Sequence, residues 1–140
     1  MRGTRLITLF FCLVPVAAWA GELSVTVDGV ASGKGSVLGA LYASNSTWFN
    51  PASAQARFKV RAAPGSVGFV FRDLAAGHYA LSVFHDANDN GKLDKNFLGV
   101  PTEGFGFSND ALGSGGPPRF TQAAFDFDGK ARSLTINLNY

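Results

Sequence analysis

Nine consecutive residues, Asp86-Ala87-Asn88-Asp89-Asn90-Gly91-Lys92-Leu93-Asp94, carry the densest chemistry in this 140-residue chain. Asp86, Asn88 and Asn90 recur at every second position and are followed at once by Gly91. That is the D-x-[DN]-x-[DN]-G register of a calcium loop, in which alternate side-chain oxygens turn toward one centre while a glycine takes the sharp bend. In that register Lys92 offers its backbone carbonyl and Leu93 points inward as an anchor. Asp94 stands at the ninth position, as a direct or water-mediated ligand, and Asp89 at the fourth points away.

The register departs from the full motif at its twelfth position, where Phe97 replaces the bidentate glutamate. Glu103 is the nearest carboxylate able to fold back toward such an ion, with Asn96 or water as alternatives. Two or three carboxylates beside neutral amides predict weak binding, on the order of 10⁻⁴ to 10⁻³ M, as in extracellular modules. The competing reading is an ordinary turn, because Asp, Asn and Gly also gather wherever chains reverse. Zinc fits poorly, since His78 and His85 have no cysteine beside them.

The same stretch offers catalytic alternatives. His85 can pair with Glu103 or Asp94, or with Asp86 or Ser108, in a hydrolytic site, and Asp94 with Glu103 forms a candidate glycosidase pair. No GxSxG elbow or HExxH pair accompanies them. His85 also shares strand parity with Tyr79, Leu81 and Val83, which favours a core-edge histidine with one ring nitrogen hydrogen-bonded. Trp48, Phe49 and Phe105 are the residues of a carbohydrate-binding platform, if exposed together. Their alternative is packing, Trp48 and Phe49 as a staple and Phe105 with Phe107 as a lid over the loop. Nothing in the sequence names a catalytic residue outright, so a binding or structural module is expected, with a partner protein or a cell-envelope component as its target.

The elements that must hold these residues are strands. Leu23, Val25 and Val27 alternate with polar neighbours, residues 37–42 form an apolar run, and residues 57–61, 67–72 and 78–85 follow. Residues 120–127 and 133–140 complete seven strands. Residues 33–36 (GKGS) lack phosphate-loop spacing and read as a hairpin turn, and Gly39 marks a bulge or close contact. Asn50-Pro51 opens a short helical turn. The expected architecture is an all-β, seven-stranded antiparallel sandwich of the Ig-like or transthyretin-like type with one long structured loop. A membrane barrel is disfavoured by the short strands.

Residues 1–20 read as a secretory signal peptide, with Arg2 and Arg5 before a short apolar run and Ala18-Trp19-Ala20 before Gly21. The remaining residues 21–140 make a single domain, without a membrane span, in the periplasm or outside the cell. Removing Arg2 and Arg5 from twelve Lys and Arg leaves ten, against ten Asp and Glu. No basic nucleic-acid footprint survives. Cys12, the one cysteine, lies in the leader, so neither disulfide nor thiol chemistry is available to the domain.

The run HDANDNGKLDKNFLGVPTEGFGFSND, with GPPRF and AAFDF beyond it, resembles the signature of a bacterial exported family catalogued as a domain of unknown function. The pattern F-x-x-L-x-x-G-x-Y-x-L-x-V, from Phe71 to Val83, resembles the corner of transthyretin-like and carboxypeptidase-regulatory-like sandwiches. These resemblances imply a small exported β-sandwich, and bring no activity or catalytic residue with them.

Overall fold

The computed structural model describes residues 21–140, so the expected leader lies outside the described residues. Period-two alternation produces the first strand: β1 (Gly21–Val30) buries Leu23, Val25 and Val27 and exposes Glu22 and Thr26. It is followed by β2 (Ser36–Tyr42), β3 (Ala56–Arg61), β4 (Gly65–Leu74) and β5 (Gly77–Asp86). Then come β6 (Phe105–Phe107), a short helix α1 (Phe120–Ala123), β7 (Phe125–Phe127) and β8 (Ala131–Asn137).

The strands form two sheets, one ordered β4-β1-β8 and one ordered β3-β2-β5-β6, with β7 pairing to β5 at Gly77–Tyr79. Their facing sides share one core, in which Leu23, Val25 and Val27 meet Val37, Leu41, Leu81, Val83 and Ile136. The all-β, two-sheet expectation holds and the barrel is excluded. The residues 33–36 do not close a hairpin, because β1 and β2 lie in different sheets and the segment crosses between them.

Three further expectations are corrected. There are eight strands, not seven, because residues 105–107, expected as a lid, pair with β5 from Phe105↔Phe84 to Phe107↔Ser82. Residues 120–127, expected as one strand, divide into α1 and β7. That run satisfies both periods: Phe120 and Ala123 are buried at helical spacing, and Phe125 and Phe127 at strand spacing. The Gln122 side chain accepts the Arg119 N–H at 2.8 Å, which favours the helical turn. Finally, the sheets are not wholly antiparallel, because β1 runs parallel to β8 from Glu22↔Ala131 to Asp28↔Asn137.

Beyond β8 the chain steps from one sheet to the other. Leu138 donates to the Asp28 carbonyl at 2.9 Å, and Asn139 exchanges two backbone bonds with Phe105 at 2.8 and 2.9 Å. Two local devices stiffen the five-stranded side. Gly39 marks a close contact rather than a bulge: its register with β3 and β5 is unbroken, and a Cβ there would meet the Phe58 ring at 2.1 Å. The Tyr79 hydroxyl donates to the Ala75 carbonyl at 2.8 Å and pins the β4–β5 corner. The Asn50-Pro51 turn forms as expected, as a 3-10 helix over Pro51–Ser53.

Candidate functional site

Strand β5 delivers two buried polar residues to its end, His85 and Asp86. Asp86 is wholly enclosed, and a buried carboxylate must be satisfied by donors. It is: Oδ1 accepts the Asn90 N–H at 3.1 Å and Oδ2 accepts the Gly91 N–H at 2.7 Å. The chain therefore winds around the Asp86 carboxylate. Gly91 makes the bend at φ +78°, where a side chain is disfavoured.

Asp94 closes the same ring from the other side. Asn88 Nδ2 donates to Asp94 Oδ2 at 2.7 Å, and Asn90 Nδ2 lies 2.8 and 2.9 Å from its two oxygens. The amide bonds from Asn90, then Asn88, hold the Asp94 carboxyl below the usual carboxylate range, and the Lys92 ammonium adds to the effect. The Asn90 Oδ1 accepts the Lys92 N–H at 2.9 Å, fixing the backbone between them. Asp86 is thus bonded to the backbone of the winding and Asp94 to its Asn88 and Asn90 amides.

Asp89, at the outward-facing position, is tied to the sheet. Its Oδ1 accepts the Ser36 hydroxyl at 2.7 Å and lies 3.5 Å from the Lys59 ammonium. The Ser36 hydrogen bond, with help from Lys59 and Arg61, lowers its pKa. Leu93 is half-buried and belongs to neither apolar cluster, so the anchor expected there is replaced by polar ties.

Glu103 is 9 % exposed, and its carboxylate grips the loop backbone. Oε1 accepts the Ala87 N–H at 3.1 Å and Oε2 accepts the Asp94 N–H at 3.0 Å, so positions two and nine of the winding are clasped together. The next residue, Gly104, accepts the His85 N–H at 2.7 Å. Sequence reasoning reached Glu103 as a partner of the loop; that it holds backbone donors was not visible in the spacing. Asn96, the other substitute considered, uses Oδ1 to accept the Leu98 and Val100 N–H groups at 2.9 and 3.1 Å.

His85 is 2 % exposed, and both ring nitrogens are engaged. Nε2 donates to the Lys34 carbonyl at 2.8 Å, and Nδ1 lies 3.1 Å from the Tyr140 hydroxyl. That hydroxyl also accepts the Ala31 N–H at 3.0 Å, leaving its own proton for Nδ1. Its ring partners are thus a carbonyl and a phenol rather than Glu103, Asp94, Asp86 or Ser108. Ser108 is separately consumed, accepting the Leu81 N–H at 2.9 Å and donating to the Ala123 carbonyl at 2.5 Å.

The aromatic residues pack mainly with each other. Trp48 donates its indole N–H to the Pro118 carbonyl at 2.9 Å and lies 4.2 Å from Phe49 and 5.9 Å from Phe120, ring to ring. Phe107 is buried and Phe105 half-buried, both on β6. One pair escaped the sequence reading: His78 Nδ1 lies 2.6 Å from Asp126 Oδ1, beside a surface groove of about 590 Å³ that Asp128 and Arg132 also line. Only the β5–β7 register, which sets His78 opposite Asp126, brings them together.

Chemically, the winding carries two carboxylates and two amides, and the amide nitrogens of Asn88 and Asn90 face Asp94. Among the described residues no three His, Cys, Asp or Glu side chains gather as a metal-holding group, so any ion here would need the amides and the backbone besides the two carboxylates. Rotating the Asn88 and Asn90 amides end for end would present oxygen where nitrogen now faces Asp94, at the cost of the bonds their oxygens accept from the Asn90 and Lys92 N–H groups.

Comparison with curated proteins returns no match, and neither does comparison with solved structures. One family model does match, over residues 25–135, which takes in both sheets and the whole Asp86 winding. The chain therefore belongs to the family described as "Uncharacterized protein conserved in bacteria (DUF2141)".

Proposed function

We propose that this protein is an exported, non-enzymatic binding or structural module whose long loop is braced by calcium. The observation that carries the reading is that hydrogen bonds link Asp86 to Asn90 and Asp94 to Asn88 and Asn90 within one winding, which Glu103 clasps. A hard, oxygen-preferring cation suits that donor set, and two carboxylates suit the weak affinity useful where calcium is millimolar. Asp86, Asn88, Asn90 and Asp94 would hold the ion through side chains and Lys92 through its carbonyl. Glu103 would set their spacing and lend its remaining lone pairs.

The enclosure of His85, between Lys34 and Tyr140, argues for a structural role and against the hydrolytic alternative. The basic start and short apolar run of residues 1–20 support export, to the periplasm or the exterior. The target is a partner protein or an envelope component. The Tyr79 corner supports kinship with transthyretin-like sandwiches.

Thermal melts with calcium and with chelator test the ion. With a Kd on the order of 10⁻⁴ to 10⁻³ M, about 10 mM calcium stabilises the fold by about 1.4–2.7 kcal/mol. The Asp94→Ala variant, which keeps the buried Asp86 cap, is expected to lose that gain. A melting midpoint indifferent to calcium overturns the brace.

A further inference from the structure

The side of the five-stranded sheet turned away from the shared core is only partly covered. A second apolar cluster takes up Tyr42, Ala80 and Phe107 there, whereas Leu38 and Phe84, at the same strand parity, belong to neither cluster and stay half-buried. Over this uncovered part lies a groove of about 440 Å³, lined among others by Leu38, Ala40, Phe84 and Ser82, and by Arg57 and Lys59 of β3. Strand register orders these groups. Lys59 stands opposite Leu38 and Leu38 opposite Phe84, while in the next row Arg57 stands opposite Ala40 and Ala40 opposite Ser82. Because β3 is the edge strand, each row runs from a cation at the rim to apolar or hydroxyl groups at the centre.

From this we infer that the groove binds a small amphiphilic carboxylate, its head on Arg57 and Lys59 and its apolar body across Leu38, Ala40 and Phe84. Charge and size select that occupant. The lining holds two cations and no carboxylate. Among the described residues no acidic side chain lies within ion-pair distance of Arg57, and Lys59 reaches only Asp89, at 3.5 Å with both side chains about half exposed. The unpaired guanidinium offers a planar fork that matches a carboxylate through two parallel bonds. A volume of about 440 Å³ falls within the range of small-molecule sites, about 300–1,000 Å³.

Tyr42 shows which way the cation faces. Burial raises the pKa of its phenol, and the Ser82 hydroxyl and then the Arg57 guanidinium pull the other way, so Arg57 lies over the sheet and not away from it. The groove beside His78 lacks this selectivity, because Asp126 and Asp128 oppose Arg132 in its lining. The inference goes beyond the proposed brace and requires no ion in the loop.

The test follows backbone amide shifts of the exported, processed protein by NMR, in chelator, during titration with octanoate, octanol and acetate. Octanoate is expected to move the amides of Leu38, Ala40 and Phe84 saturably. Octanol, which lacks the charged head, and acetate, which lacks the tail, should each bind about tenfold more weakly or worse. Arg57→Gln, at an exposed position, should weaken octanoate about tenfold and leave octanol unchanged. Leu38→Glu should abolish octanoate binding by setting a like charge on the floor, and Arg57→Gln keeps the test decisive if that variant does not fold. The proposal is overturned if octanoate gives no saturable shift, if the shifts map away from the groove, if octanol binds as well as octanoate, or if Arg57→Gln binds octanoate like the parent. Working in chelator keeps this result separate from the calcium melts, which alone decide the brace.

Discussion

Replacing Glu103 by glutamine tests the clasp on the loop without changing its size. The carboxylate accepts two backbone N–H groups, from Ala87 at 3.1 Å and from Asp94 at 3.0 Å. A glutamine amide has one accepting oxygen and one donating nitrogen, so one of the two N–H groups would face another donor. Orphaning one buried donor costs about 1–3 kcal/mol, and losing charge assistance at the other costs about 1 kcal/mol more. The expected loss is about 2–4 kcal/mol. For a domain of this size that lowers the melting midpoint by about 8–16 °C. Amide hydrogen exchange gives the local reading, with Ala87 and Asp94 expected to lose protection before the strands do. A midpoint within about 2 °C of the parent, with both amides still protected, would refute the clasp.

Acid and packing give two further expectations. The folded-state pKa values of Asp89 and Asp94 are depressed by hydrogen bonds from Ser36 and from Asn90 and Asn88. Their contribution is therefore complete above the ordinary carboxylate range near about pH 4 and is lost as pH falls through the lowered values. Melting midpoints taken from neutral to about pH 3 should show Asp94→Asn less acid-sensitive than the parent, and parallel curves would contradict this. Gly39→Ala drives a methyl into the Phe58 ring, which stacks on Phe69 at 4.7 Å, and should cost about 1–3 kcal/mol by denaturant titration.

What the sequence discloses here depends on how far apart in the chain the partners lie. The alternation of Leu23, Val25 and Val27, the inward parity of His85 and the spacing from Asp86 to Asp94 are local patterns, and each was legible. The Tyr140 hydroxyl that completes the His85 network lies 55 residues away, and no periodicity connects them. The lid expected of Phe105 and Phe107 fails for a related reason, since a Cβ at Gly106 between them would meet the Asn137 carbonyl at 2.7 Å. The glycine records the close approach of a distant strand, so it belongs to β6 rather than to a loop. Residues 120–127 were ambiguous in themselves, and tertiary packing chose between their two periods.

The parallel pairing of β1 with β8 constrains the order of assembly. β1 is the central strand of its sheet, flanked by β4 on one edge and by β8 on the other. Ile136 of β8 is fully enclosed, so the core shared by Leu23 and Val27 stays open along one side until β8 arrives. β4 can pair with β1 once the first half of the chain is made, but the other edge of β1 waits for β8, more than a hundred residues behind it. Such long-range closure is slow relative to local hairpins. The half-built molecule would present one unpaired edge of β1, which makes the interval before β8 docks the period in which this fold is most open to capture by a chaperone or by another copy of itself.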